Sequence, residues 1–206
     1  MVTRSWNFGV GTDWRLDVVR PAVEVAASID WSSRDDQALV EACLGGHRDA
    51  FAPLVQRYQR QVYHVCYRFT GNHADAADLA QDVFVRAYRG LSGFRGASSI
   101  HTWLYRIAVN VCLNRASLKT PPSMPLGTRE IDAGVEAPDR ALVRGERAAE
   151  VRAAILRLPP KQRATLILRV YHDLPHQEIA AILGSSVGAV KANFFHALAN
   201  LRKLLS

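Results

Sequence analysis

The residue types best suited to bind another molecule lie near the C-terminus, in the stretch PHQEIAAILGSSVGAVKANFFHALAN at residues 175–200. Two short segments with apolar stripes of helical spacing meet at Gly184, and a serine follows that can cap the second segment. The stripe predicted to be buried on the second segment consists of Val187, Val190, Phe194 and Leu198. Two helices joined by such a tight turn form a helix-turn-helix unit, with an ordinary helical hairpin as the alternative. The second helix would present Lys191, Asn193 and His196 to phosphates and base edges in a DNA major groove.

A second group of polar residues follows a loop of small residues, SGFRGASS at 92–99. A loop rich in glycine and serine can wrap an unpaired base, and its backbone amides can hydrogen-bond to that base. In the helix that comes next, Arg106, Asn110 and Asn114 recur at every fourth residue and therefore share one face. This row predicts contacts to nucleic acid, whereas Trp103 follows the apolar periodicity and is predicted to pack in the core. For Tyr105 the pattern leaves both places open.

A third group lies on the preceding helix, predicted over residues 74–91, whose inward stripe is apolar. The opposite face carries side chains of both charge signs. Exposure to solvent is the common fate of such a face, and docking to another protein is the alternative. The outward residues are Asp75, Asp78, Gln81, Asp82, Arg86 and Arg89.

The elements that must position these groups are helical throughout, because apolar residues recur at threes and fours and no strand-like alternation appears. The predicted helices cover about 35–44, 49–70, 74–91, 100–118, 140–158, 161–170, 175–183 and 187–205, with a further short helix near 18–27. Four prolines and no sustained periodicity mark a flexible linker between two groups of helices. The fold class is therefore all-α, with two small helical domains. The predicted segments are an N-terminal extension at 1–33, a first domain at 34–118, the linker at 119–140 and a second domain at 141–206.

The composition supports a folded protein with an unevenly distributed charge. The chain has 206 residues, 49% of them apolar, which excludes an intrinsically disordered chain, and a formal net charge of +7. No apolar run approaches the ~18–20 residues that would span a bilayer. Charges interrupt any N-terminal signal-like stretch and three separated cysteines make no disulfide framework, so a reduced, cytoplasmic protein is expected. Residues 146–206 carry nine basic and four acidic side chains, a surplus that suggests a polyanionic partner for this segment, with a solvated basic face as the alternative.

No pattern in the sequence is typical of a catalytic site. A phosphate-binding loop, a dinucleotide fingerprint and a nucleophile elbow are all missing. Cys43 and His47, with His64 and Cys66 on the next helix, have the residue types of a metal site, but both cysteines fall on apolar stripes. They are interpreted as buried structural thiols, and no catalytic residue, cofactor or metal is predicted.

Three stretches taken together resemble bacterial RNA polymerase sigma factors of the extracytoplasmic-function type in the sigma-70 family. The promoter-binding fourth region of that family is similar to LPPKQRATLILRVYHDLPHQEIAAILG at 158–184 and the residues that follow. Its core-polymerase-binding helix is similar to DAADLAQDVFVRAYRGL at 75–91. Its promoter-melting loop and helix are similar to FRGASSIHTWLYRIAVNVCLNR at 94–115. The order and spacing match the subgroup, and the resemblance covers about residues 35–205.

This resemblance implies a transcription initiation subunit that docks on RNA polymerase core and melts promoters. The partners it implies are the clamp helices of the largest polymerase subunit, the flap of the second subunit and promoter DNA in duplex and single-stranded form. Many family members also have an anti-sigma protein as a partner. The linker would thread toward the polymerase cleft, where its carboxylates could repel nucleic acid; plain solvation of these charges is the alternative. The carboxylates are Glu130, Asp132, Glu136 and Asp139.

The resemblance also implies a set of contact residues for each partner. The charged face of the helix at 75–91 would meet the clamp helices. The implied contacts to the minus-10 element are Phe94, Arg95, Ser98, Ser99, Arg106, Asn110 and Asn114. The implied contacts to the minus-35 element are Ser186, Lys191, Asn193, Phe195 and His196.

The recognition helix departs from the family pattern. The family usually has GTVKSR followed by an arginine three residues later, whereas this chain has Ala189, Ala192, Asn193 and His196 at the positions of the threonine, the serine and the two arginines. These changes remove hydroxyl and guanidinium contacts. They predict weaker phosphate binding and an altered minus-35 preference.

Two other function classes are compatible with parts of the sequence. A helix-turn-helix regulator with a helical N-terminal sensing domain would share the C-terminal unit, and it would bind its duplex site without polymerase. A protein-binding adaptor is the third class, and the basic second domain argues against it.

Overall fold

The computed structural model describes residues 29–118 and 138–206, with the backbone alone for residue 118 and residues 138–145. No strand occurs in these ranges, and the predicted all-α fold class is confirmed. The predicted helix at 18–27 and the linker carboxylates Glu130, Asp132 and Glu136 lie outside the described residues. The helices are α1 (Asp36–Leu44), α2 (Phe51–Thr70), α3 (His73–Gly90), α4 (Ile100–Leu118), α5 (Pro138–Leu156), α6 (Pro160–Val170), α7 (His176–Leu183) and α8 (Val187–Leu205), with short 3-10 turns at Arg48–Ala50 and Leu91–Gly93.

The boundaries of the helices follow from side-chain caps and prolines. Asp35, Asn72 and Ser186 each accept a hydrogen bond from a backbone N–H in the first turn of the helix that follows, α1, α3 and α8 respectively. Proline is the first residue of both α5 and α6. The backbone N–H at the start of a helix has no intrahelical partner, so proline loses no hydrogen bond there by lacking an N–H. As a result α5 begins at Pro138, two residues before the predicted start, and Asp139 lies in a helix rather than in the linker.

The helices α1–α4 make up the first half of the fold and α5–α8 the second half. The core of the first half is formed where α2, α3 and α4 meet. Leu54, Val62, Val83, Leu104 and Ala108 are each at most 2% exposed, as their helical spacing predicts. Trp103 is half-buried and packs against this core, which agrees with its predicted place in the apolar stripe.

Cys43 and Cys66, interpreted as structural thiols, lie in or beside the core of the first half, and so does Cys112. Cys66 on α2 and Cys112 on α4 are buried, with their sulfur atoms 3.9 Å apart, and Cys43 is half-buried. The hydrogen bond that Cys112 donates to Cys66, together with burial, raises the pKa of the Cys112 thiol, so it stays protonated near neutral pH.

The helices of the second half extend the same core. Ile167, Ile179, Ile182 and Val190 are almost fully buried and belong to one cluster with the side chains of α2–α4. A smaller cluster joins Ile155, Leu158 and Leu166 to Ala197 on α8.

The predicted inward stripe of α8 is wrong at one position. Leu198 was expected in the stripe, yet it is 46% exposed, while its neighbour Ala197 is fully buried. The buried line runs through Val190, Phe194, Ala197 and Leu201, at intervals of four, three and four, and Leu198 falls to one side of it.

Arg163 on α6 makes contacts with both halves of the fold. Its guanidinium donates to the carbonyl oxygens of Phe69 (3.0 Å) and Leu158 (3.1 Å) and also to that of Leu156. The same group lies over the Phe69 ring, 5.1 Å from its centroid. Burial lowers the pKa of Arg163, and the carbonyl dipoles around the guanidinium compensate part of this desolvation.

Gly71 at the end of α2 is a second point of close approach between the halves. Its φ of +69° is left-handed, and a Cβ added there would lie 2.5 Å from Cδ1 of Leu156 on α5. We therefore expect Gly71→Ala to lower the free energy of unfolding by about 1–3 kcal/mol, as measured by urea denaturation. The matched control is Gly93→Ala, because Gly93 has no positive φ and nothing within 4 Å of the added atom. Equal stability of the two variants would contradict the strain at Gly71.

Candidate nucleic-acid and protein-binding surfaces

The charged face of α3 is displayed to solvent over most of its length. Asp78, Gln81, Arg86 and Arg89 are exposed. Three of the six predicted residues take part in ion pairs within the chain: Asp82 pairs with Arg86 (2.9 Å), and Asp75 pairs with Arg115 of α4 (3.0 Å). The face therefore offers acidic, basic and amide groups in one patch, with Asp75 at its edge and turned toward α4.

An apolar residue inside this charged patch escaped the sequence analysis. Val85 is 39% exposed and follows Asp78, Gln81 and Asp82 at helical spacings of seven, four and three. Tyr88 beside it is 44% exposed and packs edge-on against Phe51, with ring centroids 5.1 Å apart. The signal that could have found Val85 is an apolar residue lying off the inward stripe of an otherwise polar face. Exposed apolar side chains ringed by charges are typical of a protein-docking surface.

The polar row of α4 is brought together as its spacing predicts. Arg106, Asn110 and Asn114 are all exposed and lie on one face. Arg106 already has a partner, because its guanidinium donates to the carbonyl oxygen of Ala181 on α7 at 2.8 Å. Asn110 and Asn114 lie farther along the helix than this contact.

The loop before α4 combines exposed residues with residues that support the helix. Arg95 is exposed, and Phe94 is half-buried with its ring centroid 5.3 Å from that of Trp103. Ser99 accepts a hydrogen bond from the Thr102 N–H (3.1 Å), so its hydroxyl caps α4. Ser98 is half-buried. Of the predicted loop contacts, Arg95 is therefore the most accessible and Ser99 already has a structural role.

The contacts between α4 and the segment around α7 form the largest feature that sequence reasoning missed. The Thr102 hydroxyl donates to Glu178 of α7 (2.9 Å), and His101 lies 3.5 Å from the same carboxylate. Tyr105, whose place the sequence left open, is 2% exposed and hydrogen-bonds Nδ1 of His172 at 2.8 Å. The start of α4 is thus covered by α7 and the segment before it, through pairs of residues that are 67–77 positions apart in the chain.

Burial at this junction shifts the pKa values of both partners in the Tyr105–His172 pair. Desolvation, with the nearby Glu178 carboxylate, raises the pKa of Tyr105 to about 12. Desolvation, with the positive fields of His64, His101 and Arg68, lowers the pKa of His172 to about 4. His172 is therefore neutral in the native protein at neutral pH.

The shifted pKa of His172 predicts a loss of stability in mild acid. The ordinary pKa of histidine is about 6.5, so between pH 6.5 and 4 the unfolded chain binds more protons than the native one, and acidification favours unfolding. We expect His172 to contribute at most about 2 kcal/mol of destabilisation between pH 6.5 and 5. Urea denaturation at both pH values should show a smaller acid sensitivity for His172→Gln. An unchanged acid sensitivity in this variant would contradict the assignment.

The helix-turn-helix unit has the predicted turn, with Gly184 at φ +58° between α7 and α8 and Ser186 capping α8 through the Ala189 N–H (3.1 Å). Lys191 and His196 are exposed, and Phe195 is 69% exposed. Asn193 is half-buried because it lies on the edge of the face that carries Val190 and Ala197. The exposed surface of α8 therefore presents one lysine, one histidine and a phenylalanine, with Asn193 the least accessible of the predicted contacts.

Comparison with family models gives two matches along the chain. Residues 54–119 match the model described as Sigma-70 region 2. Residues 148–201 match the model described as Sigma-70, region 4. The first range contains α3, the loop and α4, and the second contains the C-terminal part of α5, all of α6 and α7, and most of α8.

Similar proteins extend over nearly the same length. The chain is 35% identical to the RNA polymerase sigma-H factor of Pseudomonas aeruginosa, over 84% of this chain and 95% of that protein. It is 36% identical to the ECF RNA polymerase sigma factor SigW of Bacillus subtilis, over 78% of this chain and 91% of that protein. Among solved structures, CnrH in complex with the cytosolic domain of CnrY matches with a TM-score of 0.61 and 25% identity, over 82% of this chain and 96% of that chain.

Proposed function

Since the chain belongs to the extracytoplasmic-function group of the sigma-70 family of RNA polymerase sigma factors, we propose that it binds polymerase core, recognises promoters and opens them. It acts as an initiation subunit and catalyses no reaction of its own. It does so in the cytoplasm, where its polymerase partner works. None of the described helices is long and apolar enough to cross a membrane.

The α3 face is the proposed docking surface for the clamp helices of polymerase. Asp78, Gln81 and Arg89 surround the exposed Val85. The charges would set the orientation and rate of association, and the apolar centre would supply affinity once water is excluded. The flap of the second polymerase subunit is the proposed partner of the second domain.

The α4 row is the proposed contact to the minus-10 element. Arg106 supplies a positive charge for phosphate, and Asn110 and Asn114 supply amide donors and acceptors for unpaired bases. Arg95 and Phe94 of the preceding loop lie where an extruded base could be held.

The α8 surface is the proposed contact to the minus-35 duplex. Ser186 lies at the start of α8, where backbone N–H groups favour phosphate. Lys191 and His196 are the exposed polar side chains of that helix that can reach the groove. Because alanines stand at 189 and 192, we expect a weaker salt dependence of binding than a recognition helix with more phosphate contacts would give.

The observation that carries the proposal is the exposed polar row of α4 in the same chain as a capped helix-turn-helix. Two separate nucleic-acid surfaces suit a protein that meets single-stranded and duplex promoter DNA together. The test is binding to purified polymerase core, followed by size-exclusion chromatography. Comigration with core supports the proposal. Duplex binding without any affinity for core would favour the helix-turn-helix regulator instead.

An anti-sigma protein is a further proposed partner. CnrH, which has a similar fold, is known in complex with the cytosolic domain of CnrY. In this chain Phe195 and Leu198 are 69% and 46% exposed on α8, and such side chains are suited to burial against a second protein.

The contacts between α4 and α7 predict that promoter binding requires the two halves to separate. Arg106 must leave the Ala181 carbonyl before it can reach DNA, and Glu178 holds both Thr102 and His101. We expect Glu178→Ala to accelerate promoter-complex formation by core-bound protein about threefold to tenfold, because about 1 kcal/mol of closing contact is removed. Stopped-flow fluorescence on labelled promoter DNA measures the rate.

The matched control for this variant is Glu150→Ala, since Glu150 is exposed on α5. An equal rate for Glu178→Ala and the wild type would show that closure does not limit access to the α4 row. A slower rate would show that Glu178 itself supports the open complex.

A further inference from the structure

Two of the three cysteines lie side by side in the core of the first half, and no proposed contact to DNA or polymerase uses them. Cys66 on α2 and Cys112 on α4 are at most 1% exposed. The Cys112 thiol donates a hydrogen bond to the Cys66 sulfur, 3.9 Å away. The sulfur atoms of a disulfide are about 2.05 Å apart, so these two would have to approach by about 2 Å to bond. A movement of that size is within the reach of a change in side-chain rotamer.

Helix α6 of the second half packs against both helices that carry these thiols. Three of its apolar residues belong to the same buried cluster as the two cysteines, namely Ala164, Ile167 and Leu168. Arg163 of the same helix donates to the Phe69 carbonyl oxygen of α2 (3.0 Å), and its positive charge lies close enough to Cys112 to lower the pKa of that thiol in part. The burial of the thiol pair therefore depends on the contact between the two halves.

The thiol pair is protected while the halves are in contact. The hydrogen bond to Cys66, and then burial, raise the pKa of Cys112 by more than Arg163 lowers it, so little thiolate is present near neutral pH. Oxidants react with the thiolate and need access to the sulfur, and the buried pair offers neither. Separation of the halves would remove α6 and admit water and small oxidants to both sulfur atoms.

We propose that Cys66 and Cys112 are a redox modification site, which closes to an intramolecular disulfide when the two halves of the fold separate in the presence of a peroxide. The thiolate of one cysteine attacks a peroxide oxygen and breaks the O–O bond, which leaves a sulfenic acid and a hydroxide that takes up a proton to form water. The thiol of the other cysteine then displaces the sulfenic hydroxyl group as a second molecule of water. The pair loses two electrons, and hydrogen peroxide is reduced to two molecules of water.

The disulfide would be a reversible covalent mark of the open chain. It would join α2 to α4 across 46 positions of the sequence, and reduction by an external thiol would restore both cysteines. The inference goes beyond the proposed function. It depends on the separation of the halves that the Glu178 contacts predict, and it does not depend on binding to polymerase.

The test is treatment of the reduced full chain with hydrogen peroxide, followed by alkylation of the remaining thiols and digestion with trypsin without reduction. Trypsin cleaves after arginine and lysine, so Cys66 and Cys112 lie on the separate peptides 61–68 and 107–115. We expect these two peptides to be joined, and Cys43 to be the one thiol per chain that is still alkylated. Dithiothreitol should restore all three thiols, and Cys43→Ala should leave the joined peptides unchanged.

The dependence on separation of the halves is tested by the rate at which the joined peptides appear. Glu178→Ala removes the carboxylate that accepts a hydrogen bond from Thr102 across the halves, and Glu150→Ala on the exposed face of α5 is the matched control. We expect the disulfide to form about threefold to tenfold faster in Glu178→Ala than in the wild type, and at the wild-type rate in Glu150→Ala.

Three results would overturn the proposal. The first is that no joined peptides form although Cys43 is oxidised, and the second is that the peptide of Cys43, residues 35–48, is joined to either of the others instead. The third is an equal rate of disulfide formation in Glu178→Ala and the wild type, because access to the thiols would then not require the halves to separate. Binding of the reduced chain to polymerase core tests the proposed function separately, so the two can fail independently.

Discussion

The double variant Arg106→Ala, Asn110→Ala is expected to lose promoter opening by at least about 100-fold while it still binds polymerase core. Both side chains are exposed on the α4 row, so their removal leaves the core of the fold intact. Each side chain would make a hydrogen bond to DNA, and the Arg106 bond is charge-assisted. Together the two bonds should contribute about 3 kcal/mol or more to the free energy of promoter opening. The α3 face lies on a different helix, so core affinity should stay within about twofold of the wild type.

Permanganate footprinting of unpaired thymines measures opening, and size-exclusion chromatography measures core binding. The matched control is the double variant Arg48→Ala, Gln59→Ala, which removes one exposed cation and one exposed amide outside the row. Asn110→Ala alone separates direct contact from release of the Arg106–Ala181 bond, since Arg106 and not Asn110 donates to the Ala181 carbonyl oxygen. Loss of core binding in the double variant would mean that the α4 row is part of the polymerase interface.

Val85→Arg is expected to weaken core binding by at least about 100-fold, because a charge placed at the centre of a docking surface must be desolvated without a partner. Val85 is 39% exposed, so the arginine has room in the free protein and should leave the stability of α3 nearly unchanged. The loss would then be a loss of affinity rather than of folded protein.

Val170→Arg is the matched control, since Val170 is 55% exposed at the end of α6, away from the α3 face. Fluorescence anisotropy of the labelled chain titrated with core measures both affinities, and circular dichroism checks the fold. Wild-type affinity in both variants would place the polymerase interface elsewhere. An equal loss in both would indicate a nonspecific effect of added charge.

Local patterns in the sequence predict the helices and their caps well. Apolar residues at threes and fours place α2, α3 and α4 within a few residues of their bounds, and the glycine turn and serine cap place α7 and α8. The polar row of α4 follows from spacing alone, since residues four apart share a helix face. These features depend on interactions within about one helical turn, which the sequence shows directly.

The contacts between the halves of the fold could not be read in the same way. Tyr105 is bonded to His172, which is 67 positions away, and no local pattern distinguishes that tyrosine from one that is exposed. The error at Leu198 has a similar cause, because two adjacent apolar residues compete for one place and packing against α5 and α6 selects Ala197. Val85 escaped because one exposed apolar residue carries little signal until its burial is known.

The central claim is that this chain directs polymerase core to initiate at promoters. Run-off transcription with purified core and a library of promoter fragments tests it most directly. We expect transcripts from a subset of promoters that share a minus-35 and a minus-10 element, all of them absent without the chain and reduced by the α4 double variant. Core that gives the same transcripts with and without the chain would contradict the claim.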